Sequence, residues 1–202
     1  MIKIKFCGLK RIDDIEAANE IKPDYIGFVF AKKSKRYVDF ETAAKLKEAL
    51  NPNIKAVGVF VDEEPKTVAK LYTEGIIRIA QLHGSEDEAY IKKLRSLADL
   101  KLIKAFGVSA KEDILRAEES SADLILLDGK SPGSGKSFDW GLLEDVKRPY
   151  ILAGGLNRKT VEEALEKLNP YGVDVSSGIE TEGFKDAIKM KEFADYIRGV
   201  KH

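Results

Sequence analysis

The sequence is poor in the residues that bind transition metals and form disulfides. It contains one cysteine, Cys7, and two histidines, His83 and His202. A single cysteine excludes an internal disulfide, and so few cysteines and histidines leave little material for a zinc or iron site. We therefore expect a protein without a metal site.

The chain also lacks an excess of charge of one sign and lacks long apolar runs. Its 34 basic and 34 acidic residues balance, which argues against a nucleic-acid binder that relies on positive potential. No apolar segment approaches the ~20 residues that a membrane span requires, and residues 1–5 lack the apolar core of a signal peptide. These features favour a cytoplasmic protein that binds neither nucleic acid nor membrane.

Apolar residues make up 44% of the 202-residue chain, enough for one globular domain with a sizeable core. Short apolar runs alternate with amphipathic helical segments along it. We predict strands at residues 2–7, 25–30, 56–61, 77–82, 102–106, 124–127, 150–153 and 173–175, and clear helices at 40–50 and 160–168. Most strand runs are uninterrupted, which is typical of parallel strands covered on both faces.

Strand-and-helix units at a spacing of about 25 residues predict a parallel sheet with right-handed crossovers. Eight such units close into a (β/α)8 TIM barrel, an α/β fold, and we expect one barrel domain over residues 1–202. The alternative is an open doubly wound sheet, but a flavodoxin-like domain would leave the last third of the chain unexplained. In a barrel, catalytic residues lie at the carboxyl ends of the strands.

Two glycine-containing turns follow predicted strands seven and eight. The first holds Gly154 and Gly155, and the second holds Ser176, Ser177 and Gly178. Barrel enzymes often bind a substrate phosphate there through backbone N–H groups, and glycine lets the backbone approach the phosphate oxygens. The alternative is that these glycines only form tight turns.

Two further segments bear on that phosphate site. Residues 179–183 leave room for the short extra helix that often completes such a site in a barrel. Residues 132–136, after strand six, are rich in glycine but lack the spacing of a nucleotide-binding P-loop. We expect them to form a mobile loop that closes over the substrate, with Gly135 contributing to phosphate binding.

Cys7 and Asp128 are candidates for proton transfer because each ends a predicted strand at the catalytic rim. Lys5 lies two residues before Cys7 on the same side of the strand, and a nearby cation favours a thiolate. A base that takes a proton from carbon and an acid that gives one to oxygen are the minimum needed to isomerise a sugar. The alternatives are that Cys7 is a small buried core residue and that Asp128 caps a helix or lies in a surface turn.

Segments along essentially the whole chain resemble phosphoribosylanthranilate isomerases of tryptophan biosynthesis, in the order found in that family. They include Lys5-Phe6-Cys7-Gly8-Leu9, Gln81-Leu82-His83-Gly84, Gly133-Ser134-Gly135-Lys136, Ala153-Gly154-Gly155-Leu156 and Asp174-Val175-Ser176-Ser177-Gly178. One departure follows Gly8, where the family often has a β-branched residue and a threonine but this chain has Leu9-Lys10-Arg11.

The resemblance implies an Amadori rearrangement of N-(5-phosphoribosyl)anthranilate to its 1-deoxyribulose 5-phosphate isomer. The family's acid falls on Asp128 and its base falls on Cys7. Arg36 matches an arginine that holds the anthranilate carboxylate, and Asp174 matches an aspartate that orients the anthranilate amine. The substrate nitrogen is the electron sink in this reaction, so the resemblance implies neither a metal nor an organic cofactor.

The roles of three polar segments remain open. Gln81 and His83 are predicted to contact the substrate, although a histidine at a strand end is often structural. The basic residues 32–36 can be read as a solvated loop or as a nucleic-acid patch, but no aromatic stacking residues are interleaved with them. The sequence does not distinguish a monomer from a homodimer.

Rival functions make different demands on the sequence. Ribulose-phosphate epimerase needs several metal-binding histidines, a histidine-pathway aldose isomerase uses two aspartates, and indole-glycerol-phosphate synthase depends on lysines at its strand ends. A catalytically silent barrel that senses a phosphorylated metabolite is a rival of another class. A binder of that kind has no need for both Cys7 and Asp128.

Overall fold

The computed structural model describes residues 1–129 and 139–200. Eight parallel strands close into a barrel in which β1 pairs with both β2 and β8. They are β1 (Lys3–Cys7), β2 (Tyr25–Val29), β3 (Lys55–Phe60), β4 (Ile79–Leu82), β5 (Lys101–Val108), β6 (Leu124–Gly129), β7 (Tyr150–Leu152) and β8 (Gly172–Val175). The predicted barrel is confirmed, and no strand end differs from its predicted position by more than two residues.

Helices follow most of the strands and cover the outside of the barrel. Within the described ranges they are α1 (Ile12–Ile21), α2 (Phe40–Ala49), α3 (Pro65–Thr73), α4 (Glu88–Leu97), α5 (Lys111–Glu119), α6 (Arg158–Lys167) and α7 (Ala187–Gly199). The helices predicted at 40–50 and 160–168 are confirmed as α2 and α6. Between β6 and β7, the described residues form a short 3-10 helix, Trp140–Leu143, where the repeating pattern predicted an α-helix.

The segment after β8 departs from the prediction. A 3-10 helix occupies Ser177–Ile179, and a hairpin of β9 (Glu180–Thr181) and β10 (Phe184–Lys185) follows it. The prediction of a short helix at 179–183 is therefore wrong in position, because the helix lies at 177–179. Glu182 and Gly183 both have left-handed backbone angles, with φ of 52° and 81°, so the chain reverses there instead of continuing as a helix.

The strands are buried on both faces, which explains their uninterrupted apolar sequences. Phe6 and Phe28 belong to the outer core, which packs between the strands and the helices. Val57, Ile79 and Leu126 belong to a second cluster, made of residues in or next to the strands, which fills the barrel interior. Each such side chain contributes about 1.5–3 kcal/mol by leaving water. Among the described helices, none is long and apolar enough to cross a membrane.

Candidate active site

The carboxyl ends of the strands surround a cavity of about 600 Å³. The predicted site residues that line it are Cys7, Arg36, Gln81, His83, Asp128, Gly154, Gly155, Asp174, Ser176 and Ser177. Alternate strand residues face the barrel interior, so strands that are distant in sequence present polar side chains to one space. Gly178 is not among the residues that line the cavity, and Gly135 and the rest of the 132–136 segment lie outside the described residues.

A buried ion pair lies beside Cys7. The Lys5 ammonium donates to both carboxylate oxygens of Asp174 at 2.9 Å, and the Lys5 side chain is only 1% exposed. Burial raises the pKa of the Cys7 thiol; the Lys5 charge opposes that rise, whereas the Asp174 charge adds to it. Burial also pulls down the pKa of Lys5, but the charges of Asp174 and Cys7 outweigh this effect and raise it. Lys5 therefore stays protonated and favours the Cys7 thiolate.

Asp128 ends the inner face of β6 in a largely buried position. Burial, reinforced by the charge of Asp174, raises the pKa of its carboxyl to about 6. His83 Nε2 lies 3.8 Å from Asp128 Oδ2, which is beyond hydrogen-bond distance. Burial lowers the pKa of His83, so this ring is neutral at pH 7 and does not offset the carboxylate charge. Asp128 can therefore hold a proton near neutral pH and release it to a bound molecule.

Gln81 presents an unused acceptor to the cavity. Its residue is 1% exposed, and its Oε1 accepts no hydrogen bond from any described residue. A buried polar atom without a partner costs free energy, so it is expected to be satisfied when a ligand fills the space. This observation supports the predicted contact between Gln81 and the substrate.

The two glycine turns lie against each other. Gly154 and Gly155 both have left-handed backbone angles, with φ of 89° and 67°. A Cβ placed on Gly178 would stand 2.0 Å from the carbonyl oxygen of Leu156 and 2.8 Å from Asn157 Cα. Only glycine therefore allows the turn after β8 to pack on the turn after β7, and this packing forms one continuous backbone surface at the cavity.

Hydrogen bonds within the turns show which donors remain for a ligand. The Ser176 hydroxyl donates to the Cys7 carbonyl at 2.9 Å, so it ties this turn to the end of β1. Asn157 caps α6, and its Oδ1 accepts from the N–H groups of Lys159 and Thr160. Because the side chain of Asn157 occupies those helix N–H groups, a phosphate at this end of the cavity would be bound by the turns themselves.

Arg36 is held by Glu180, and Glu180 is held in turn by Lys185; the sequence assigned no role to Glu180 or Lys185. Its Nε and Nη2 donate to the two carboxylate oxygens of Glu180, at 2.6 and 2.9 Å. Lys185 donates to Glu180 Oε1 at 2.7 Å and to the Ser176 carbonyl at 3.0 Å. The sequence shows Glu180 as an acidic residue shortly after the second turn. Its partner Arg36 lies 144 positions earlier in the chain, so the sequence alone did not reveal the contact.

Both cations and carboxylates line the cavity, and the carboxylates are those of Asp128, Asp174 and Glu180. Lys33 and Lys35 join Arg36 in the cavity lining, where positive charge suits an anionic ligand. Within residues 1–129 and 139–200, no group of three or more His, Cys, Asp or Glu side chains is placed to hold a metal ion. The arrangement is suited to proton transfer on a molecule that carries negative charge.

Comparison with known proteins identifies the family. The model of the N-(5'phosphoribosyl)anthranilate (PRA) isomerase family matches residues 4–196. An N-(5'-phosphoribosyl)anthranilate isomerase from Clostridium acetobutylicum is 46% identical over 209 residues, and one from a Thermoanaerobacter species is 44% identical over 207 residues. Both alignments cover the full length of both chains.

Solved structures agree with the sequence relatives. A phosphoribosyl anthranilate isomerase from Thermotoga maritima superimposes with a TM-score of 0.90 at 38% identity, covering 99% of this chain and 100% of that one. A second isomerase, solved in complex with reduced 1-(o-carboxyphenylamino)-1-deoxyribulose 5-phosphate, has a TM-score of 0.87 at 36% identity with the same coverage. This chain therefore belongs to the N-(5'-phosphoribosyl)anthranilate isomerase family.

Proposed function

We propose that this protein converts N-(5-phosphoribosyl)anthranilate (PRA) to 1-(2-carboxyphenylamino)-1-deoxyribulose 5-phosphate, as a single barrel domain over residues 1–202. The observation that carries the proposal is the pairing of Asp128 and Cys7 around one cavity: the pKa of Asp128 is raised to about 6, and Lys5 partly offsets the rise that burial causes in the pKa of Cys7. We place the reaction in tryptophan biosynthesis and in the cytoplasm, where phosphorylated intermediates are retained.

Asp128 is the general acid in this proposal. Its proton passes to the furanose ring oxygen of PRA, and the bond between that oxygen and C1 breaks. The lone pair of the substrate nitrogen forms a C1=N double bond, which leaves an iminium ion and the Asp128 carboxylate. A raised pKa suits this role, because a carboxyl with its ordinary pKa would hold very little proton at pH 7.

Cys7 is the general base. Its thiolate removes the proton from C2, the C–H electron pair forms a C1=C2 double bond, and the iminium nitrogen takes back its electron pair. The resulting enolamine gains a proton at C1 and loses the proton of its C2 hydroxyl, which gives the ketone. Lys5 supports this step because its charge opposes the burial-driven rise in the pKa of Cys7.

The remaining contacts orient the two anionic ends of the substrate. Arg36 binds the anthranilate carboxylate, and the turns containing Gly154, Gly155, Ser176, Ser177 and Gly178 bind the phosphate, to which we also assign Gly135. Asp174 accepts from the anthranilate amine, because each of its oxygens has acceptor capacity beyond its bond to Lys5. Gln81 Oε1 accepts from a substrate donor, and the His83 ring packs against the substrate beside Asp128.

The proposal is tested by identifying the product. Purified protein is incubated with PRA, the mixture is quenched with borodeuteride, and the reduced product is compared by tandem mass spectrometry with authentic 1-(2-carboxyphenylamino)-1-deoxyribulose 5-phosphate reduced in the same way. The ketose takes the deuterium at C2, whereas PRA reduced through its open-chain imine takes it at C1, so the two isomers are distinguished. We expect one product that matches the standard and that forms in proportion to enzyme. Unchanged PRA at near-stoichiometric enzyme would overturn the assignment.

A further inference from the structure

The path of the Arg36 side chain is set by the turn that carries the proposed base. Gly8 directly follows Cys7 and has a left-handed backbone angle, φ 83°. A Cβ on Gly8 would stand 2.4 Å from Arg36 Cδ and 3.0 Å from Arg36 Cβ. The aliphatic part of Arg36 therefore lies directly on the Gly8 backbone, and its guanidinium emerges close to the base.

Glu180 holds one edge of that guanidinium. Arg36 Nε donates to Oε1 at 2.6 Å and Nη2 donates to Oε2 at 2.9 Å, a two-point contact between planar groups. A guanidinium has a second such edge, formed by Nη1 and the other proton of Nη2. No described residue accepts a hydrogen bond from Arg36 Nη1, so that second edge is available for another carboxylate.

Glu180 is itself held from behind. It is the cross-strand partner of Lys185 in the β9–β10 hairpin, and Lys185 Nζ donates to its Oε1 at 2.7 Å. Lys185 also donates to the carbonyl and the hydroxyl of Ser176, at 3.0 and 3.3 Å, which uses its three donors. The Glu180 carboxylate is thus fixed to the phosphate turn and neutralised by a cation other than Arg36.

We propose that Glu180 is a positioning residue that fixes Arg36 so that its Nη1–Nη2 edge receives the substrate carboxylate, which makes Glu180 a determinant of the enzyme's preference for a carboxylated aryl group. This inference rests on the proposed function. A free arginine side chain loses much rotational entropy on binding, whereas one already held in place loses little. Glu180 therefore improves carboxylate binding although it is itself an anion.

A simple counter-charge role for Glu180 makes the opposite prediction. If Glu180 only repelled the incoming carboxylate, Glu180→Gln would strengthen substrate binding. If it positions Arg36, Glu180→Gln raises KM for PRA by ~10-fold and changes kcat by less than ~3-fold, since one charged hydrogen bond is lost in a binding contact. Glu180→Asp keeps the charge but withdraws the carboxylate by one methylene, so we expect it to raise KM as well.

The experiment combines these variants with Arg36→Ala and with a substrate that lacks the carboxylate, N-(5-phosphoribosyl)aniline. We expect Glu180→Gln to raise KM for PRA in the wild-type background and to change it by less than ~2-fold in the Arg36→Ala background, because coupled residues are not additive. For the aniline substrate we expect Glu180→Gln and the wild type to have equal kcat/KM. Glu182→Gln, on the same hairpin but exposed, is the matched control and should leave all values unchanged.

The outcomes separate the inference from the proposed function. A wild-type protein that converts neither substrate contradicts the function itself. A wild-type protein that converts PRA, with an unchanged or lower KM in Glu180→Gln, overturns only the role of Glu180. Additive effects of Glu180→Gln and Arg36→Ala, or equal losses on both substrates, overturn it too. If Glu180→Gln does not fold, an unchanged KM in Glu180→Asp overturns the role of Glu180 in its place.

Discussion

The Lys5 ammonium lies 2.9 Å from each carboxylate oxygen of Asp174 inside the barrel. The two residues are register partners on β1 and β8, so the pair is built into the strand alignment. The Lys5 charge also acts on Cys7, because it opposes the rise that burial causes in the pKa of the thiol. The ion pair therefore links the residue assigned to the substrate amine with the residue assigned to the C2 proton.

We expect Lys5→Met to raise the pKa of Cys7 further, because the stronger of the two cations that oppose burial is removed, while the Asp174 charge remains and Lys185 alone opposes the rise. The measurement is thiolate absorbance, or the rate of thiol alkylation, as a function of pH. Lys55→Met, which removes an exposed lysine at the start of β3, is the control. An alkylation profile of Lys5→Met that coincides with the wild type would show that Lys5 does not act on the thiol.

We expect kcat/KM to rise with pH up to about pH 6 and then to stay constant. Below about pH 6 Asp128 keeps its proton, and each pH unit adds tenfold to the Cys7 thiolate. Above pH 6, each pH unit still increases the Cys7 thiolate tenfold but decreases protonated Asp128 tenfold. The fraction of enzyme that has both forms is therefore constant until the pH reaches the pKa of Cys7. Binding of the reduced product at each pH controls for titration of the phosphate. A decline between pH 7 and pH 8 would contradict this assignment.

Asp128→Asn should stabilise the protein at pH 8 and have little such effect at pH 4. The folded pKa of Asp128 is raised from 3.8 to about 6, so the folded state binds the proton more tightly than the unfolded state. The contribution of Asp128 to the free energy of unfolding is therefore greatest below about pH 4. It falls by about 1–3 kcal/mol as the pH rises through about 6. Urea unfolding at both pH values measures it, with exposed Asp145→Asn as the control. Equal effects of Asp128→Asn at both pH values would contradict the raised pKa.

Gly178→Ala should raise KM for PRA at least ~10-fold and lower stability by about 1–3 kcal/mol, since the added Cβ forces the two turns apart. Gly199→Ala is a matched control, because a Cβ there meets nothing within 4 Å. KM and the urea midpoint are measured for both variants. Wild-type KM in Gly178→Ala would show that the packing of the two turns is not needed for phosphate binding.

The strands could be predicted from the sequence because burial on both faces leaves short runs without polar residues. The strand ends moved slightly, since hydrogen bonding to neighbours extends β6 to Gly129 and β5 to Val108. The helix expected at 179–183 could not be placed from composition alone. The chain instead forms a hairpin through the left-handed backbone angles of Glu182 and Gly183, and a glutamate gives no sequence signal for such an angle.

The site was predictable where one residue at a strand end suffices. Cys7 and Asp128 follow apolar runs, and the structure puts both at one cavity. The contact between Arg36 and Glu180 was not predictable, because the loop after β2 and the short β9–β10 hairpin that carry these side chains have no periodic signal in the sequence. The sequence identified Lys5 only as a neighbour of Cys7. Its ion pair with Asp174 could not be predicted, because it depends on the register between β1 and β8.

The most direct test of the acid–base pair is the loss of PRA fluorescence in a single turnover, with enzyme in excess over substrate. We expect the wild type to convert all of the PRA, and Asp128→Asn and Cys7→Ser each to slow the conversion by at least ~10²-fold. Conversion by Cys7→Ala at the wild-type rate, or no conversion by the wild type, would contradict the account.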